Sequence, residues 1–360
     1  MLRQSKLPAS WISRNANHRG SASGGSPHTT SDSSTPQTSS SSHSPRSPPQ
    51  MDEREKLRLL AQQTLDVIAR GVYTSPSGQV IHIRHIVEMS MRGTLFYSPQ
   101  AFDNWETLRT PSGLNPIHTR FSCTERTTLQ AAQEFANEAR QVAAQARSNA
   151  PPRVGVLNFA SATKPGGGFK NGAKAQEESI ARVSALYASL TTPTGLQFYK
   201  RDARRRQGPT YSDAMVYSPH VLVFNTDELQ LLDEPYEIAV VTSPAVNAGE
   251  VRDQNRHQDQ GKVERAIGRL MYQRMARILA LFQNRGDNYL VLGSYGTGVF
   301  RNPVETVASI WMDLLVRPGA PFENVFERVD FAIIGHDTFE RFNSVFQASI
   351  QLPSAGATGR

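Results

Sequence analysis

Apolar positions along this chain change their period three times. In residues 1–50 they are too sparse to form any stripe: Ser, Pro, Thr and Asn dominate, with runs such as TPQTSSSSHSPRSPPQ. Such a segment cannot bury enough apolar surface to offset its ordering entropy, so a disordered tail is expected. Helical spacing begins in DEREKLRLLAQQTLDVIARG, where Leu57, Leu60, Thr64 and Val67 share a face and Gly71 supplies the stop. In GQVIHIRHIVEMS, Val80, His82 and Arg84 alternate with Ile81, Ile83 and His85. That period predicts a strand, with His82 and His85 on opposite faces and therefore no metal site. Thr127 and Gln130 give a capping-box signature ahead of a helix whose seam is Leu129, Ala132, Ala136, Ala139 and Ala143. RSNAPP ends that helix.

From residue 154 onward, short apolar runs alternate with amphipathic ones. VGVLNF (154–159), HVLVF (220–224), IAVVTSP (238–244), YLVLG (289–293) and VDFAIIG read as strands. QEESIARVSALYASL, VERAIGRLMYQRMARILALFQ (with Val263, Ile267, Leu270, Arg274 and Ile278 on one side) and FERFNSVFQASI read as helices. A further helix is predicted from Asn302, with Pro303 at its first position and Glu305 completing the cap. Repeated strand–loop–helix units imply an α/β fold with a largely parallel or mixed sheet flanked by helices. YKRDARRRQGPTYSD (199–213) interrupts the alternation and reads as an exposed insertion, its arginines a solvated loop ahead of the alternative that they hold a polyanion. The expected organisation is a tail at 1–50, an α-rich extension at 51–150 packing on an α/β domain at 151–352, and a flexible end at 353–360.

Composition narrows the partners. The net charge is +7, of which residues 1–50 contribute +4 through Arg3, Lys6, Arg14, Arg19 and Arg46 against Asp32, leaving +3 for the rest. A dedicated duplex nucleic-acid-binding domain is not indicated by so mild a charge, although an anionic ligand suits it. One cysteine, Cys123, excludes a disulfide framework and a thiolate-rich zinc site, and it reads as a small apolar filler. No apolar stretch approaches the roughly 20 residues that cross a bilayer, and no secretory h-region is visible. An intracellular protein, nuclear or cytoplasmic, is expected ahead of mitochondrial import, since the Arg- and Ser-bearing tail shows no amphipathic helix. A monomer is the default.

Two loops between a predicted strand and a predicted helix are glycine-rich, at Gly166, Gly167 and Gly168 and at 293–298. In open α/β sheets such loops gather beyond the carboxyl ends of the strands, where backbone N–H groups can approach an anion. Two of them suggest a diphosphate held between. Neither is a Walker A loop, and GSYGTG is not G-x-G-x-x-G. Glu177 and Glu178 follow the first loop in the first turn of a helix. The macrodipole alone favours acids there, but adjacent side chains diverge by about 100°, so one carboxyl can face a ligand while the other anchors the loop.

The stretch LNFASATKPGGGFKNGAKAQEESIARVSALYASL resembles the microbial, bacterial-type poly(ADP-ribose) glycohydrolases, which place three glycines, a spacer and Gln-Glu-Glu within a macrodomain-like fold. LGSYGTGVFRNP resembles their diphosphate loop, with Ser294, Tyr295 and Thr297 where the family often has Ala, Trp and Cys; YSPHVLVF and VVTSPAVNAG are similar to family segments. The likeness runs from about residue 55 to 340. It implies hydrolysis of ribose–ribose O-glycosidic bonds of poly(ADP-ribose) on ADP-ribosylated proteins, with ADP-ribose as product and a place in ADP-ribosylation reversal and the DNA damage response. It implies Glu178 as general acid and then base, Glu177 as its positioning partner, and no cofactor or metal. Gly166, Gly167, Gly168, Gln176, Gly296, Thr297, Gly298 and Val299 would line the ligand, with amides near Gly167, Gly168, Gly296 and Gly298 cradling the diphosphate. Phe300 would stack on the proximal adenosine or its ribose, with a core aromatic at a helix entry as the other reading; Asn158 would contact the distal ribose, with structural capping of the loop as the other reading. A helix N-terminus lowers a carboxyl pKa while burial under substrate raises it, so protonation of Glu178 is expected to depend on bound ligand. Three other readings stand beside this one. A non-catalytic ADP-ribose reader would have no need of Gln-Glu-Glu. A hydrolase of mono(ADP-ribose) or small derivatives would use the same loops. A nucleotide kinase or phosphatase would need a loop lysine and a metal site.

Overall fold

In a computed structural model, residues 52–107, 118–147, 151–204, 208–228 and 230–351 are described. The expected tail at 1–50, the end at 353–360 and the arginines Arg205 and Arg206 of the 199–213 stretch lie outside them. A sheet of seven strands organises the chain, in the order β3-β6-β7-β5-β8-β9-β4. Its members are β3 (Leu95–Tyr97), β4 (Arg120–Glu125), β5 (Val154–Phe159), β6 (Met215–Asn225), β7 (Leu231–Ser243), β8 (Tyr289–Leu292) and β9 (Arg328–Ile333). From β7 to β4 neighbouring strands run parallel, whereas β6 is antiparallel to both β7 and β3.

The helices cover both faces, as a largely parallel sheet requires. Val156 of β5 points into a cluster with Phe135 of α3 (Thr128–Gln145) and Ile180 of α4 (Gln176–Val183). Gly155, one residue earlier, faces the ring of Phe282 on α8 (Gln260–Arg285). This period-2 alternation explains why β5 reads as an unbroken apolar run: each of its faces is a core. The capping box of Thr127 and Gln130 is formed, and the predicted seam of α3 is buried.

Residues 51–150 contribute β3 and β4 to the central sheet, and α3 packs on it. Three expectations are corrected. The alternating stretch after Gly78 is a strand only as far as β2 (Val80–His82), paired with β1 (Val72–Thr74), and then a helix, α2 (Arg84–Gly93). Ile83 and Val87 lie one turn apart and join a core cluster with Leu222 and Phe224 of β6, so tertiary burial selected the helical period. Next, α9 (Val304–Leu315) starts after Pro303 with no side-chain cap, because the Asn302 amide is spent elsewhere. The 199–213 stretch is partly internal: α6 (Leu196–Arg204) buries Tyr199, and Asp213 pairs with the fully buried Arg274 at 2.8 Å.

Candidate active site

The carboxyl ends of β5, β7 and β8 lead into three loops that meet: 160–175 before α4, 244–247 before α7 (Ala248–Gln254), and 293–303 before α9. Ala160 N–H donates to Ser243 O at 3.0 Å, the Tyr295 hydroxyl to Ser243 Oγ at 3.2 Å, and Gly249 N–H to Phe300 O at 3.0 Å. Asn302 Nδ2 donates to Val246 O at 2.8 Å and to Gly296 O at 2.9 Å, stitching two of the loops. A Cβ at Gly296, whose φ is +76°, would come within 2.4 Å of Ala245 Cβ, so the crossing admits only glycine.

Both glutamates turn inward. Glu178 is 9% exposed and accepts from Gly168 N–H at 2.8 Å; Glu177 is 2% exposed and accepts from Ser161 N–H at 2.7 Å. A Cβ at Gly167 would lie 2.2 Å from Glu178 Oε1 and 3.0 Å from Glu177 Oε2, so the two carboxyls converge on the space beside this one residue. Its φ of +58° completes the case for glycine. Burial pushes the Glu177 carboxyl up to about 8, and the neighbouring Glu178 charge adds to the rise against the pull of Ser161 N–H, Asn158 and Gly166 N–H. A proton therefore belongs to this pair at neutral pH, contributed by desolvation and like-charge repulsion.

The residues around the pair are held by bonds of their own. Gln176 accepts from Phe159 N–H at 2.9 Å and donates to Leu157 O at 2.8 Å and Thr128 Oγ1 at 3.2 Å. It pins α4 to β5. Asn158 is fully buried, donating to Thr242 Oγ1 at 3.2 Å and to Glu177 Oε1 at 3.4 Å, and its Oδ1 is buried without a partner. The first loop does not present its amides as expected: Gly167 N–H donates to Lys164 O at 3.0 Å, and Gly168 N–H serves Glu178.

The second loop is different. Thr297 folds onto its own loop through Ser294 O, but the N–H groups of Gly296, Gly298, Val299 and Phe300 make no hydrogen bond among the described residues. Val299 is 82% exposed at the loop tip, and the Phe300 ring lies 5.7 Å from that of Tyr211. Open amides, an uncovered apolar tip and an aromatic pair make a surface for an anion attached to a ring. Sequence reasoning missed Ser161, whose amide holds Glu177, because a backbone donor leaves no mark in residue identity. Among the described residues no group of three or more His, Cys, Asp or Glu side chains could hold a metal ion, and no helix is long and apolar enough to cross a membrane. Burial and the nearby Asp330 push the Cys123 thiol up to about 12, which disqualifies it as a nucleophile.

The model of the microbial-type PARG catalytic domain matches residues 61–226. The poly(ADP-ribose) glycohydrolase of Thermomonospora curvata is 40% identical, with 82% of this chain and 99% of that one covered at a TM-score of 0.70. Its complex with the inhibitor ADP-HPD is 40% identical, with 82% and 100% covered and a TM-score of 0.68. The Deinococcus radiodurans glycohydrolase in complex with ADP-ribose is 32% identical, with 73% and 98% covered and a TM-score of 0.62. No curated protein matches the chain. At 40% identity to a poly(ADP-ribose) glycohydrolase over 82% of its length, the chain belongs to the microbial-type poly(ADP-ribose) glycohydrolases, glycoside hydrolases acting on poly(ADP-ribose).

Proposed function

We propose that Glu178 is the acid–base residue with which this protein cuts ribose–ribose O-glycosidic bonds and releases ADP-ribose from ADP-ribosylated proteins. The observation that carries the assignment is the convergence of both carboxyls on Gly167, with Glu178 held by Gly168 N–H and the less buried of the two. Glu178 gives a proton to the departing ribose oxygen as the C–O bond breaks, leaving an oxocarbenium-like sugar on the ADP-ribose side. The resulting carboxylate takes a proton from water as its oxygen attacks that carbon, so Glu178 ends as it began. Glu177, fixed by Ser161 N–H and Asn158, orients the leaving side. The open amides of Gly296, Gly298, Val299 and Phe300 receive the diphosphate, whose charge offsets that of the sugar cation; Phe300 and Tyr211 face the adenosine. The reaction draws on neither metal nor cofactor, nor on duplex nucleic acid, and a monomer suffices.

One observation favours the reverse assignment: the raised carboxyl is Glu177, and a raised pKa marks a proton donor. Release of free ADP-ribose from a poly(ADP-ribosyl)ated protein distinguishes the two, with a mono(ADP-ribosyl)ated protein alongside. Glu178→Gln is expected to lower turnover about 10²- to 10⁴-fold in a folded protein that still binds ADP-ribose, the range that loss of a general acid–base group costs. Retained turnover in Glu178→Gln with loss in Glu177→Gln would reverse the roles. Loss of neither, with ADP-ribose still bound, would mean a reader.

A further inference from the structure

The proposed reaction uses the amide side of the first loop; the carbonyl side is held by arginines that the reaction leaves unexplained. Arg182 follows Glu178 by one helical turn on α4, which places the two on the same face. It is 3% exposed, its Nη2 donates to Ala173 O, and its Nε is buried without a partner. Ala173 N–H in turn donates to Gly168 O at 3.3 Å, and Gly168 N–H holds Glu178, so one short chain of bonds joins the guanidinium to the carboxyl. From the other side, α1 (Glu53–Arg70) braces the same stretch. Arg54 Nε donates to Asn171 O at 3.0 Å, and the Thr64 hydroxyl donates to the carbonyl of Arg182. Burial lowers the Arg182 guanidinium pKa while the Glu178 charge raises it.

Of the other charged groups around the loop, Lys164 has no side-chain partner among the described residues, and the rest are engaged. Lys170 donates to the Tyr187 hydroxyl at 2.6 Å, Lys174 pairs with Glu53 at 2.5 Å, and Glu177 accepts from Ser161 N–H. The Tyr199 hydroxyl, buried beside Glu177, is unpartnered. A buried cation with an unmade hydrogen bond is costly, and such a residue calls for a reason.

We infer that Arg182 is a positioning residue of the reaction: its grip on Ala173 fixes the loop against which Glu178 is set, and its charge is the one Glu178 works beside. The inference rests on Glu178 as the acid–base residue. Its test compares Arg182→Met, Arg182→Lys and Glu178→Gln in the full chain, measuring kcat against pH, KM for poly(ADP-ribose) and folding by circular dichroism. Arg182→Met is expected to lower kcat at least tenfold with KM changed less than threefold. It should also move the alkaline limb of kcat upward, because a positive charge near a carboxyl has gone. Arg182→Lys keeps the charge and should leave that limb in place, yet kcat should still fall because an ammonium lacks the planar fork. A folded Arg182→Met with wild-type kcat and pH limb, beside an inactive Glu178→Gln, overturns the inference. Turnover retained by Glu178→Gln instead overturns the reading beneath it. If Arg182→Met does not fold, Arg182→Lys decides, and wild-type kcat in that variant overturns the gripping role.

Discussion

The buried carboxyl of Glu177 should make the ligand-free protein lose stability as pH rises through the neutral range. An unfolded glutamate titrates near 4.5, and burial holds the folded one at about 8. Below pH 4.5 both states keep the proton and the folded protein has its full stability. Between 4.5 and 8 the unfolded chain releases the proton while the fold retains it, so each pH unit removes about 1.4 kcal/mol. Above 8 both states are ionised and the loss stops growing. From pH 5 to pH 8 the loss comes to about 3 kcal/mol, a large part of the 5–15 kcal/mol typical of a domain. Glu177→Gln keeps an acceptor for Ser161 N–H but cannot titrate. Urea denaturation of both proteins at pH 5, 6.5 and 8, at constant ionic strength, isolates the glutamate pair, since titrations elsewhere cancel in the difference. Wild type should lose about 3 kcal/mol relative to Glu177→Gln over that interval. A difference that stays flat, or one that moves in favour of wild type as pH rises, refutes the argument that the pair holds a proton.

Two further predictions concern the frame around the pair. Gly167→Ala would place a Cβ 2.2 Å from Glu178 Oε1 at a φ of +58°, so the loop must shift. Since displacements of about 1 Å can cost about 10²-fold, kcat should fall by that order while the protein still melts cooperatively. Arg274 donates to Asp213, to Pro244 O at 2.8 Å and to Thr210 O at 2.9 Å from a buried position. Arg274→Met should cost about 3 kcal/mol in urea denaturation, the lower end for breaking a buried pair, because two carbonyls and a carboxylate lose their donor.

Much of this was legible in the residues. β5 was readable because a strand buried on both faces must be apolar throughout, and α3 because Thr127 and Gln130 satisfy its first N–H groups. The paired glutamates were readable because they follow a glycine loop at a helix start. Arg182 could have been found the same way, four residues after Glu178.

What was not legible had a common origin. GQVIHIRHIVEMS fits a strand period and a helix period at once, and only the cluster with Leu222 and Phe224 chose between them. Asn302 and Gln176 are residues whose amides can cap, line a pocket or tie two segments together; which of these they do depends on carbonyls distant in sequence. The direction of the backbone amides was likewise invisible: the first glycine loop turns its N–H groups onto Lys164 and Glu178, and the second leaves them open. The sequence by itself determined the alternation of strands and helices, the glycine positions and the presence of two adjacent acids, because these follow from period and side-chain type. Only the tertiary structure decided which carboxyl is buried deeper and which loop leaves its amides open, because desolvation and hydrogen-bond commitment depend on segments that meet only in the fold.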